Sequence, residues 1–152
     1  MSRFIHAGIS IAVPPGWEAA ASGGSFRLLP SGAREPTVVH LGTFPLPPNG
    51  ASFGADAVES MRPTDVLIVL FEYGREVAGT APFAFSGIPA PLHPRQFDRN
   101  ALQHGVPGQS GLQRFFTVNG RPFCLYVVLG SHIDRADLIP DVNQVLATLE
   151  IG

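Results

Sequence analysis

The dipeptide Asn119-Gly120 separates two runs of strand-forming residues, and it constrains the fold more than any other feature of the chain. A two-residue hairpin loop needs positive φ at both positions, so Asn-Gly selects a type I′ turn and with it a single register between residues 112 and 129. Val118 then opposes Arg121, Phe116 opposes Phe123, Phe115 opposes Cys124 and Leu112 opposes Val127. Directly opposed side chains share a face. One face therefore carries Leu112, Phe116, Val118, Phe123, Leu125 and Val127, and the other carries Phe115, Cys124, Tyr126 and Val128. A sheet with one wet face alternates apolar and polar residues; here both faces are apolar, so the hairpin is expected in a sheet covered on both sides. Pro122 opposes Thr117 at a non-hydrogen-bonded pair and marks a strand end or a free edge on its other side.

The remaining elements follow from periodicity. Gly8–Val13 alternates as a half-buried strand and stops at Pro14-Pro15-Gly16, with Trp17 expected as a core plug or edge cover. Ser25–Leu29 and Thr37–Thr43 read as a second hairpin. Ser52 is placed to cap a short helix bearing Phe53, Ala57, Val58 and Met61 on one side, ended by Pro63. Val66–Tyr73 is an unbroken apolar run rich in β-branched residues, which predicts a central strand covered on both faces. Near the C-terminus Asp137 is the expected helix cap, with Pro140 in the first turn and Leu138, Val142, Val145, Leu146 and Leu149 forming an apolar stripe that should lie on one face of the hairpin.

The chain has 152 residues, which favours one domain spanning 1–152 and large enough to bury roughly 70% of its unfolded surface. Its ten basic residues are all arginine, spread from Arg3 to Arg135 without a cluster, and the net charge is −2. A phosphate backbone requires several cations on one face, so no nucleic-acid partner is expected. A lysine-free chain rich in Ala, Gly, Pro and Arg suggests a GC-rich genome. No run approaches the ~20 apolar residues of a membrane span, and no sustained apolar leader follows Arg3, so no membrane association and a cytoplasmic location are the expectations. The single cysteine, Cys124, reads as an inert core thiol.

Between Gly74 and Gly111 the regular pattern dissolves into prolines and glycines. An irregular connection of that length is uncommon in a compact domain and is usually functional or disordered. It contains His93, Asp98 and His104, whose spacing matches no compact metal motif, so neither a metal nor a cofactor is predicted. It also contains Arg95-Gln96-Phe97-Asp98-Arg99, in which arginines flank an aromatic residue as they often do at protein interfaces. The candidate binding residues are accordingly Arg95, Phe97, Asp98, Arg99, His93 and His104. Ser110 lies in Gly108-Gln109-Ser110-Gly111, where the spacing and the strand that follows do not fit a nucleophile elbow. Glu72, at the end of a buried strand, is expected in a structural ion pair with an arginine such as Arg75 or Arg114, or exposed there.

The strand Gly8–Val13 closing in Pro14-Pro15-Gly16-Trp17, a hairpin, a helix, apolar antiparallel strands and a terminal helix together resemble the PsbP-like superfamily, which includes a Ran GTPase-binding protein and bacterial proteins of unassigned role. The resemblance covers most of the chain outside 74–111. It implies an α+β fold, a three-layer α/β/α sandwich with a mainly antiparallel sheet, and an adaptor or assembly role; it transfers no catalytic residue. Two functions are therefore carried forward. The first is a non-enzymatic module that binds a protein partner through the 86–111 loop and the adjoining sheet edge. The second is a small-molecule binder or hydrolase with its pocket between the sheet and that loop, drawing on His93, Asp98 or His104.

Overall fold

The computed structural model describes residues 1–23, 36–47 and 54–152. Its strands form two antiparallel sheets. The smaller contains β1 (Ser2–His6), β2 (Ile9–Val13) and β8 (Glu150–Ile151), in the order β1-β2-β8. The larger contains β3 (Glu18–Ser22), β4 (Val38–Gly42), β5 (Val66–Glu72), β6 (Ser110–Val118) and β7 (Arg121–Leu129), in the order β3-β4-β5-β7-β6. Helix α1 is a single turn, Ala55–Val58, and α2 runs Arg135–Leu146.

The Asn-Gly hairpin is β6 and β7, in the register its turn dictates: Val118 faces Arg121, Phe116 faces Phe123 and Leu112 faces Val127. Asn119 and Gly120 have φ of 53° and 71°. All nine residues of β7 are buried, because β7 lies between β5 and β6 in the sheet and both of its faces are apolar. Phe116 and Phe123 stack at 5.5 Å between ring centres. Pro122 lies just past the last β5–β7 pair, Glu72–Phe123, so its missing N–H falls at a strand end.

The two faces of the larger sheet carry separate apolar clusters. On one, Leu112, Phe116, Phe123, Leu125 and Val127 join Ile68 and Leu70 of β5, Ile9 and Ile11 of β2, and Ile139, Val142, Val145 and Leu146 of α2. The other holds Leu67, Val69, Cys124, Tyr126 and Val128, with Ala57 and Val58 of α1 and Phe44 packed against them. A full helix and the small sheet thus contribute to the first cluster, whereas a single helical turn and irregular chain contribute to the second. Strand β5 is covered on both faces, as its unbroken apolar run implies.

Several expectations are corrected. Residues 2–6 form a strand that alternation did not disclose, and it turns into β2 through Ala7 and Gly8 at φ of 48° and 79°, so β2 begins at Ile9. Strand β4 pairs with β3 at 18–22, a segment whose small residues, Ala19 to Ala21, carry little β signal. Ser25–Leu29 lies outside the described residues, as do Ser52 and Phe53. The residue preceding α1 is Gly54, at φ 69°. Helix α2 starts at Arg135, not after Asp137: the amides of Asp137 and Leu138 both bond to the Asp134 carbonyl, and Ser131 Oγ donates to Asp134 Oδ2 at 3.1 Å. Pro140 consequently lies within the helix. The carbonyl it leaves without a helical donor belongs to exposed Ala136, where water can serve.

A buried ion pair fastens the two sheets together. Arg121 Nε donates to Glu72 Oε2 at 2.8 Å and Nη2 to Glu72 Oε1 at 2.9 Å. Nη2 also donates to the Ala7 carbonyl and Nη1 to the Gly152 carbonyl, each at 2.8 Å. Glu72 therefore pairs with Arg121, and neither Arg75 nor Arg114, because the β5–β7 register sets Glu72 beside the start of β7. Both side chains are largely buried, at 7% and 14% exposure, so removing one partner strands the other charge. Arg121→Met should lower the unfolding free energy by about 3–5 kcal/mol, and the double substitution Arg121→Met with Glu72→Met should recover a large part of that loss. Urea unfolding of both variants measures this directly.

Candidate functional site

The long connection from Gly74 to Gln109 is anchored to the sheet rather than trailing from it. Three short 3₁₀ turns punctuate it, at Arg75–Val77, Ala81–Phe83 and Pro94–Gln96. Prolines in the latter two suit such turns, since an N–H missing from a first turn has no helical partner to lose. Phe83, Leu92 and Phe97 point inward and are buried. Leu92 exchanges two hydrogen bonds with the Asn143 side chain of α2, at 2.7 and 2.9 Å. Arg135 Nε donates to the Pro94 carbonyl at 3.1 Å, and Gln103 N donates to Tyr126 Oη at 2.7 Å.

Two of these anchors fall on the outer edge of β6. Thr117 N donates to the Phe85 carbonyl at 2.8 Å, and Gly87 N donates to the Thr117 carbonyl at 3.0 Å. Six residues earlier, Asp98 and Gly111 exchange both backbone bonds, at 2.9 and 3.0 Å. The segment between the anchors makes no backbone hydrogen bond to β6, and a cleft of about 270 Å³ lies between the two. Phe85, Pro89, Ala90 and Pro91 form its apolar lining, and Gln96 with Arg114 and Phe115 of β6 completes it.

Arg114 is half-buried and opposite Leu125, on the face that otherwise carries Leu112, Phe116 and Val118. Its Nη1 donates to the Gln113 carbonyl at 3.0 Å, and among the described residues no carboxylate lies within salt-bridge distance of it. Phe85 is 57% exposed, unusual for a phenylalanine, and it borders the cleft.

The residues singled out in the sequence do not converge. Phe97 is 5% exposed and belongs to the core with α2, so it anchors the loop and presents no contact surface. His93 caps the last 3₁₀ turn, its Nδ1 accepting from Arg95 N at 3.1 Å. Asp98 accepts from Asn100 N at 2.7 Å, while His104 pairs with Glu59 at 3.0 Å near α1. Arg95 and Arg99 are exposed. None of the six lines the cleft, and no group of three metal-ligating side chains is found among the described residues. His93, Asp98 and His104, on which the small-molecule reading drew, therefore lie away from the cleft lining. Arg114 was detectable in the sequence as one of two charges, with Arg121, on an otherwise apolar hairpin face, whereas Phe85, Pro89 and Gln96 carried no such mark.

One serine–histidine pair is present. Ser110 Oγ and His132 Nδ1 lie 2.8 Å apart. Ser110 is fully buried, so a substrate carbonyl has no path to its oxygen and the pair joins β6 to the approach of α2. Cys124 is likewise sealed; burial pushes its thiol up to about 12, against a smaller opposing effect from the Arg114 backbone, and it is no nucleophile at neutral pH. Among the described residues no helix is long and apolar enough to cross a membrane. Comparison with protein-family models, curated proteins and solved structures finds no match.

Desolvation, then the cations of Arg135 and Arg99, hold His132 below the ordinary histidine value, with Asp98 opposing them. The unfolded chain therefore binds a proton at His132 more readily than the folded one. Its contribution to stability is complete above the unfolded pKa of ~6.5 and is lost as pH falls through the lower folded value. Urea midpoints measured at intervals from about pH 7.5 down to 5 should show a decline in the wild type that is shallower in His132→Gln.

Proposed function

We propose that this chain is a non-enzymatic interaction module whose partner docks on the outer edge of β6 and the 85–96 segment standing over it. The observation that carries this reading is the way the long connection is built. It is fastened to β6 at Thr117 and Gly111, and between these points it packs on the core through Leu92 and Phe97 without a backbone bond to the strand, which leaves an aromatic- and proline-walled cleft with a half-buried arginine. A connection that served only to cover the edge would gain by closing over it, since unpaired strand edges invite adventitious pairing. An ordered loop that holds the edge open is suited to recognition.

A layered reading of the fold agrees with this proposal. We read helix α2 with the small sheet, the five-stranded sheet, and α1 with irregular chain as three tiers, a variant of the α/β/α sandwich that the resemblance to the PsbP-like superfamily implies; the apolar clusters on both faces of the large sheet support this. A partner at the β6 edge would extend the middle tier. The docking residues are then Phe85 and Arg114, in place of the Arg95 and Phe97 pair.

Affinity purification of the intact chain from its host, followed by mass spectrometry, tests the proposal. A stoichiometric protein should be recovered by the wild type and at least about tenfold less by Phe85→Ser, which removes an exposed aromatic anchor at little cost to the core. Equal recovery by the two would place docking elsewhere on the molecule.

A further inference from the structure

Strand β6 is an edge strand, so every second residue points its N–H and C=O away from β7. The phase is set by the two anchors: Thr117 and Gly111 both use their outward groups to bind the long connection. Gln113 and Phe115, midway between them, therefore face outward as well. The Gln113 carbonyl accepts from Arg114 Nη1. Among the described residues nothing hydrogen-bonds to the Gln113 N–H, or to the N–H and C=O of Phe115. Three backbone groups at strand spacing thus open beside the cleft, next to a guanidinium that has no carboxylate partner among the described residues.

We propose that this slot binds the C-terminal residues of a partner polypeptide, which add to β6 at Gln113 and Phe115 while their terminal carboxylate is held by Arg114. The inference rests on the proposed docking surface and names its occupant. Three features select a chain end. The Ser86–Thr117 and Asp98–Gly111 bridges close the edge at both sides, so a strand cannot run straight through. The volume, about 270 Å³, falls just below the range of roughly 300–1,000 Å³ that suits drug-sized ligands and fits a short terminal segment. An arginine freed from acidic neighbours, beside unpaired backbone N–H groups, is the chemistry that captures a terminal carboxylate, and strand addition supplies the rest of the affinity. Phe85 and the prolines offer the apolar wall for the preceding side chain.

The test uses the full-length ¹⁵N-labelled chain and two pools of acetylated tripeptides, one with free C-termini and one amidated. Titration with the free-acid pool should shift the amide resonances of Gln113 and Phe115, with responses concentrated there and in 85–91. The amidated pool should bind about tenfold more weakly, the value of one charge-assisted contact. Arg114→Gln should abolish the difference between the pools while leaving distant resonances in place. Unmoved Gln113 and Phe115 amides, equal binding of the two pools, or a preference that survives in Arg114→Gln would each overturn the assignment. So would tight binding confined to amidated peptides with an internal aspartate, which would make the ligand an acidic side chain. A Phe85-dependent partner captured from the host, together with no tripeptide binding, would sink this inference and leave the docking surface standing.

Discussion

The pairing of Arg121 with Glu72 joins parts of the chain that no local interaction could hold together. One guanidinium reaches β5 through Glu72, the β1–β2 turn through the Ala7 carbonyl, and the end of β8 through the Gly152 carbonyl. Four of its donor bonds are thereby satisfied, and its face lies 5.3 Å from the centre of the Phe123 ring. A buried cation is tolerated only under such conditions, since the loss of hydration must be offset by full pairing. Gly8 belongs to the same arrangement, because a Cβ there would lie 2.8 Å from Arg121 Nη1. Asn119 reinforces the junction by donating to the Ile151 carbonyl at 2.8 Å, so the residue that turns the hairpin also holds the small sheet.

With the small sheet fixed, α2 and β2 have a surface to share, and the cluster on that face of the large sheet is closed. The long connection then completes the cover. Leu92 and Phe97 enter the same cluster, and the paired bonds between Leu92 and Asn143 tie the loop to α2. Its irregular backbone is tolerable because its buried groups find partners in side chains such as Asn143, Arg135 and Tyr126. The cleft beside β6 follows from this anchoring: between its two contacts with the strand the chain is drawn onto the core at Leu92 and Phe97 and makes no backbone bond to Gln113 or Phe115. The candidate cleft exists because these anchors hold the loop at separate points.

Much of the central sheet was legible in the sequence. The Asn-Gly turn specified a backbone geometry, that geometry specified a register, and the register sorted every side chain of β6 and β7 onto the face it occupies. The apolar run of β5 carried equal information. Strands β1 and β3 were not legible, since Ser2–His6 mixes exposed polar and apolar residues and Glu18–Ser22 is built largely from alanine. Their strand state comes from partners elsewhere in the chain. The start of α2 was misplaced because Asp137 has the residue type of a cap but lies inside the first turn, and only the bonds to the Asp134 carbonyl show where the helix begins.

The candidate site divides in the same way. From sequence came its general location, a long proline-rich connection beside a sheet edge, because composition alone excludes regular structure there. Which side chains face the cleft was a tertiary matter. Phe97 looked like an interface aromatic within Arg95–Arg99, but a side chain's burial in a loop is set by the surface it is folded against, and here that surface is α2. The hairpin at Asn119-Gly120 was determined by the sequence because its constraint is local, a matter of φ angles at adjacent residues. The partner of Glu72, the inward turn of Phe97 and the place of Arg114 beside the cleft were decided only by tertiary structure, since each depends on residues brought together from distant parts of the chain.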